Sequence, residues 1–346
     1  MFDNIDKTHI NELGEFGLIK HLSQAVELTQ ASTIKGIGDD AAVIDHSDYK
    51  TLISTDLLLE NVHFDLRYVP LKHLGYKAVQ VNLSDIYAMN GIASQITFSI
   101  GLSSKFPLEA VEEIYEGALI ACKKYGVDLV GGDTSSSSQG LVLSITSIGY
   151  AKEKDIVYRS GAKEGDLICI SGDLGAAYVG LQLLEREKQI YLENPNIQPD
   201  LEGKDYIIER QLKPEARKDV VELLKYLDIV PTSMIDVSDG LASEILHICN
   251  SSNVGCKLFE EKIPLDPMTY ETAREFGLDP TVCALSGGED YELLFTISQS
   301  EYEKVKGQLD ISVIGYITDK ESGNVMISKS DKIHTITAQG WNAFKG

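Results

Sequence analysis

The sequence predicts an α/β, or α+β, protein built as two domains. Three observations carry this. The chain has 346 residues, 43% hydrophobic and 24% charged, ordinary values for a globular protein long enough for about two domains. Short β-type apolar runs alternate with runs of helical period up to about residue 150, the pattern of sheets layered with helices. The pattern then restarts at "YRSGAKEGDLICISGDLGAAYVGLQLL" with a turn, a strand, a glycine loop and a helix. This places the domains at 1–152 and 153–346.

The elements follow in order. Leu13, Phe16, Ile19, Leu22 and Val26 recur at helical spacing, which predicts an amphipathic helix over roughly 10–30. "AAVID" and "TLIST" are β-like and joined by "HSDYK", so a hairpin is expected. Pro70 is suited to open a helix that runs to Gly91. "QITFSIGL" reads as a strand, "PLEAVEEIYEGALIACKKYG" as a helix with a glycine stop, and "VDLVGGD" and "LVLSITSIGYA" as strands. Beyond the restart, the stretch 188–207 is polar and turn-rich and is expected to be a surface excursion. After Pro214 come a helix, the unit "SMIDVSDGLASEI" and further mixed elements.

Composition excludes several classes. Asp plus Glu number 53 against 31 Lys plus Arg, a net charge of −22. Such a chain repels nucleic acid at long range. No apolar run reaches the ~20 residues a membrane helix needs, and the start lacks the basic and apolar regions of a signal peptide. A cytoplasmic protein without membrane or nucleic-acid partners is expected. The five cysteines form no C-x-x-C pair and read as buried free thiols. There is no G-x-x-x-x-G-K-[ST], no H-E-x-x-H and no G-x-S-x-G, hence no P-loop, no zinc-protease helix and no acyl-transfer elbow. Gly36-Ile-Gly38-Asp-Asp-Ala41 matches a dinucleotide fingerprint, but it leads into a strand where the fingerprint must open a helix.

Carboxylates and hydroxyls instead gather where strands end: Asp39 and Asp40; Ser54, Thr55 and Asp56; Asp85; Asp133; Asp173; Asp236, Ser238 and Asp239; Glu289 and Asp290. Any one of these is an ordinary cap or turn residue. Repeated in both halves, beside glycines that let a backbone approach a phosphate, they describe oxygen ligands for several Mg²⁺ ions and a phosphorylated substrate. His63 in its loop reads equally as a surface or a binding residue. Arg159 fits a phosphate or a surface ion pair. Tyr125 fits core packing, and Trp341, the single tryptophan, fits a packing anchor.

Taken in order, "GIGDDAAVID", "ISTDLLLENVHF", "KAVQVNLSDIYAMNG", "LVGGDT", "YRSGAKEGD", "MIDVSDGL" and "LSGGEDYELLFT" resemble the thiamine-monophosphate kinase family, from about residue 12 to the final "GW". The resemblance implies a two-domain fold like that of aminoimidazole ribonucleotide synthetase, with N-terminal strands pairing across a homodimer. It implies transfer of phosphate from ATP to thiamine monophosphate, with Mg²⁺ as cofactor. Asp40, Ser54, Thr55, Asp56, Asp85, Asp133, Asp236 and Asp239 match its metal positions. Tyr125, Gly132, Asp133, Arg159 and Ser238 match its ATP positions, and His63, Glu289 and Trp341 its acceptor positions. Asp39 and Asp290 are expected to be supporting residues. The family reads A-M-G after the "NLSD" helix, where this chain has Ala88-Met89-Asn90-Gly91, one residue longer. Amidine-forming relatives and a non-catalytic nucleotide-binding regulator are the alternatives to this reading.

Overall fold

The computed structural model describes residues 21–35, 43–45 and 49–338. Contacts divide the chain into two compact units, one of residues 1–86 with 91–154, the other of residues 87–90 with 155–346.

The first unit contains strands β1 (Thr33–Lys35), β2 (Val43–Ile44) and β3 (Lys50–Leu59), helix α1 (Leu71–Ala88), strand β4 (Ile92–Leu102) and helix α2 (Leu108–Tyr125). Strands β5 (Asp128–Gly131), β6 (Thr134–Ser136) and β7 (Val142–Ala151) complete it. Its main sheet has the order β3-β7-β4-β5, and β6 adds to β4. β3 is an edge strand whose side chains alternate: Leu52 and Leu58 are buried, while Ile53 and Leu57 are 69% and 49% exposed. That alternation is the two-residue period of a half-covered sheet. The covered face packs Ile96, Phe98, Ile100, Leu143 and Ile145 onto α1 and α2, all at 2% exposure or less. The two helices touch backbone to backbone. A Cβ on Gly75 would overlap the carbonyl oxygen of Ile114, and one on Gly117 that of Lys72. α2 ends on Gly126 at φ 68°, a left-handed terminus that glycine favours.

Of the hairpin expected between "AAVID" and "TLIST", residues 41–42 and 46–48 lie outside the described residues, and among the described residues β2 and β3 are not paired with each other. β2 pairs with β1, and β3 pairs along its whole length with β7. The helix expected over 10–30 is helical at residues 21–23 and gives way to a turn at 24–25; residues 10–20 lie outside the described residues.

The second unit carries strand β8 (Leu167–Ser171), helices α3 (Ala176–Glu193), α4 (Asp205–Leu212) and α5 (Lys218–Tyr226), strand β9 (Ser233–Asp236), helix α6 (Leu241–Ser252) and strand β10 (Gly255–Phe259). Helices α7 (Pro267–Glu275) and α8 (Pro280–Ser286) and strands β11 (Leu293–Ile297), β12 (Ile311–Thr318), β13 (Asn324–Ile327) and β14 (Ile333–Thr335) follow. The sheet has the order β14-β13-β10-β12-β8-β11-β9. Ile168, Ile170, Ile235, Leu294 and Ile317 from its strands form one core with Leu241, Ile245 and Ile248 of α6. α3, α4, α7 and α8 bury Val179, Leu183, Ile207 and Ala273 in a second. The polar excursion is shorter than 188–207: α3 continues to Glu193, and α4 starts at Asp205. The additional residue Asn90 is accommodated by a left-handed conformation, φ 57°, and its Nδ2 donates to the Asp155 carbonyl at 2.8 Å.

Candidate active site

In the first unit the acidic group is built by one strand and one helix. Residues 54, 56 and 58 of β3 point toward α1, and Asn82 and Asp85, three apart on that helix, face them. The Asp56 N–H donates to Asn82 Oδ1 at 2.9 Å, and the Ser54 hydroxyl donates to the Asp85 carboxylate. Asp56 sits opposite Ile145, which sits opposite Phe98. The carboxylate therefore takes the edge place in a row whose other members are core. Burial, and then the charge of Asp85, push the Asp56 carboxyl up from 3.8 to about 6.

Thr55 is not with them. By strand alternation its hydroxyl lies on the other face, donating to the Ile145 carbonyl at 2.9 Å and accepting from Thr146. Asp133 is exposed between β5 and β6, beyond β7 and β4 from β3; its carbonyl accepts from the Ile100 N–H at 2.8 Å. Gly132 is explained by packing, since a Cβ there would overlap the Phe98 carbonyl oxygen. Tyr125 is buried in the last turn of α2. His63 is exposed in the turn after β3, and its Nδ1 accepts from the Leu59 N–H at 3.0 Å, leaving the proton of the neutral ring on Nε2. Asp39, Asp40 and Trp341 lie outside the described residues.

In the second unit, β9 delivers Asp236, which is 4% exposed, and the chain turns through Ser238 and Asp239 into α6. Neither side chain caps that helix. Gly240 is the N-cap, without a side-chain bond. Glu244, in the first turn, reaches back to accept from the Asp239 N–H at 3.0 Å and from the Ser238 hydroxyl at 3.5 Å. Burial raises Asp239, opposed by His247. Burial also pushes Glu244 up to about 7, against the lowering effects of the Asp239 N–H and of Arg159. Arg159 is exposed; Tyr158 beside it accepts from the Met234 N–H at 3.0 Å, holding this stretch to the edge of β9.

The "GGED" loop lies against the same turn. The Glu289 N–H donates to the Ser238 carbonyl at 2.7 Å and the Tyr291 N–H to the Val237 carbonyl at 2.9 Å. Glu289 and Tyr291 both have positive φ, 59° and 52°, and such strain persists only where surroundings impose it. Gly288, φ +73°, packs where a Cβ would stand 2.5 Å from the Ser238 carbonyl oxygen. Asp290 accepts from the N–H groups of Gly175 and Ala177 at 2.7 and 3.3 Å. Two N–H groups at the start of α3, after the glycine loop "SGDLG", are thus already taken by a carboxylate. Glu292 is held by Arg210 at 2.8 Å, by Arg217 and by Ser171 at 2.5 Å.

Sequence reasoning passed over Asn82, Glu244, Arg210 and Gln211. The three-residue spacing of Asn82 and Asp85 on a helix, and an acid in the first turn of α6, were the available signals; nothing local marks Arg210 or Gln211.

The donor set fits a hard cation: hydroxyl and carboxylate oxygens only, with a raised carboxyl whose repulsion from Asp85 a divalent ion would relieve. Among the described residues no group of three or more His, Cys, Asp or Glu side chains is gathered tightly enough to hold a metal; Ser54 supplies a further oxygen beside Asp56 and Asp85.

Two sheet-and-helix units with acidic strand ends place the chain in a class that comparison with known proteins defines. Residues 38–151 match the family described as AIR synthase related protein, N-terminal domain. The thiamine-monophosphate kinase of Bacillus subtilis (strain 168) is 34% identical over 342 residues, covering 96% of this chain and 100% of that protein. That of Aquifex aeolicus (strain VF5) is 34% identical over 335 residues, 97% and 99%. The solved structure "AaThiL complexed with AMPPCP and TMP" has a TM-score of 0.75 at 33% identity, covering 96% of this chain and 98% of that one. The chain belongs to the thiamine-monophosphate kinase family.

Proposed function

We propose that the chain transfers the γ-phosphoryl group of ATP to thiamine monophosphate, giving ADP and thiamine diphosphate. The observation that carries this reading is the Ser54–Asp56–Asp85 group, where β3 and α1 bring a hydroxyl and two carboxylates together; oxygen donors of this kind support a divalent-cation site. It is supported by relatives that carry the activity in their names and by similarity to a structure named for its AMPPCP and TMP complex.

In this reading Asp40, Ser54, Asp56, Asp85, Asp133, Asp236 and Asp239 hold Mg²⁺. Thr55 contributes no side-chain oxygen, since its hydroxyl is turned to the other face. Bound Mg²⁺ would neutralise the phosphates and align an in-line transfer. Ser238, Arg159 and the backbone at Gly132 serve ATP, while Tyr125 contributes packing. His63, Glu289 and Trp341 serve the acceptor. The acceptor phosphate has a second pKa of about 6, so it is already ionised at neutral pH. No protein base is required, and the transfer is direct with no phosphoenzyme. A homodimer through the N-terminal strands belongs to the same reading; the exposed Ile53 and Leu57 of edge strand β3 support it, and sedimentation as a monomer at micromolar concentration would remove it.

The test is ADP release from Mg²⁺-ATP with thiamine monophosphate against free thiamine, with Asp56→Asn and EDTA as controls. Turnover is expected with the monophosphate only, abolished by either control. Turnover with neither acceptor would overturn the acceptor assignment and direct the search to the amidine-forming relatives.

A further inference from the structure

We propose that Gln211 is a positioning residue for the acceptor, orienting the Glu289 carboxylate; this rests on the reading that Glu289 meets thiamine monophosphate. Gln211 is the penultimate residue of α4, 4% exposed, and its Nε2 donates to Glu289 Oε2 at 2.9 Å. Two features separate this from ordinary packing.

The main chain of the loop is fixed without Gln211. Glu289 and Tyr291 bond by their N–H groups to Ser238 and Val237, Asp290 is bound by the start of α3, and Glu292 is gripped by Arg210 and Arg217. Removing the Gln211 amide therefore leaves these main-chain bonds in place and takes one donor from the Glu289 carboxylate. The stem and the head of Gln211 also do different things. The stem packs where α4 crosses α3, its Cβ 3.2 Å from where a Cβ on Gly180 would stand, whereas the amide N–H turns to the carboxylate. An amide donor orients the Glu289 side chain without bringing a positive charge of its own, as a site for a cationic thiazolium ring requires. A lysine at this place would compete with that cation.

Gln211→Met keeps the stem and removes the donor. A hydrogen bond to a charged group sets the expected scale at about tenfold to a hundredfold. KM for thiamine monophosphate should rise by that factor, with KM for ATP and kcat within about twofold of wild type and an unchanged thermal midpoint. Gln211→Glu, equal in shape but repelling Glu289, should raise the same KM further. In the double variant with Glu289→Ala, Gln211→Met should add nothing to the loss from Glu289→Ala alone. Unchanged acceptor KM in both Gln211 variants, equal rises in both KM values, or fully additive losses would overturn the inference while leaving the kinase reading intact. Wild-type protein without turnover on thiamine monophosphate would overturn that reading and the inference with it.

Discussion

Asp56→Asn separates the electrostatic cost of the proposed metal site from its use. The carboxyl is moved from 3.8 to about 6 by burial and by Asp85, a difference worth about 3 kcal/mol where the group is fully ionised in both folded and unfolded protein. Its remaining exposure reduces this to about 2 kcal/mol. The folded-state value lies above the unfolded one, so the wild-type contribution is fully present below about pH 4 and is lost as pH rises through about 6. An amide is insensitive over this range. Without divalent metal, Asp56→Asn should therefore be more stable than wild type by about 2 kcal/mol at pH 8, with the advantage shrinking toward zero near pH 4. Urea unfolding in EDTA at several pH values measures this. Adding Mg²⁺ should reverse the order at pH 8, because ligand at about a hundred times its Kd stabilises the protein that binds it by about 2.7 kcal/mol. A variant less stable than wild type in EDTA at pH 8, or a difference independent of pH, would refute the account of Asp56 as a carboxylate held at an electrostatic cost.

Arg210→Met leaves Glu292 and Asp290 short of a cation in a buried setting and should cost about 3 kcal/mol in urea unfolding. Gly117→Ala forces a methyl into the Lys72 carbonyl where α1 and α2 meet; a loss of about 2 kcal/mol and a lower thermal midpoint are expected. The five cysteines are all free and buried, and burial pushes the Cys122 and Cys169 thiols up to about 12. A thiol reagent at pH 8 should label all five only after denaturation, and rapid labelling of either in the native protein would contradict the packing.

Elements with a strong period were legible in the sequence. The α2 helix with its glycine stop and β7 are found where periodicity puts them. Failures came where partners are distant in the chain. Local turn residues suggested that β2 turns back onto β3, but β2 pairs with β1 and the described partner of β3 is β7, far along the chain. The site shows the same division. Carboxylates expected at strand ends marked Asp56, Asp85, Asp236 and Asp239 as candidates; Asp236 does end β9 and Asp239 does precede α6, whereas Asp56 lies within β3 and Asp85 within α1, where only register brings them together. Whether each was a cap was not legible: Asp290 does cap α3, whereas Asp239 leaves its helix to Gly240 and Glu244.

By itself the sequence determined an acidic, two-domain α/β chain, its long helices and strands, and the residue types able to hold Mg²⁺ and phosphate. Those properties follow from composition and from periods of two and 3.6 residues, which act over a few neighbours. Only the tertiary structure decided that Thr55 faces away from Ser54 and Asp56, that Gly132 is demanded by the Phe98 backbone, and that Gln211 reaches Glu289 across 78 residues. The carboxyl of Asp56 is likewise raised by Asp85 from another element. Such contacts depend on register and burial, and these exist only once the chain has closed on itself.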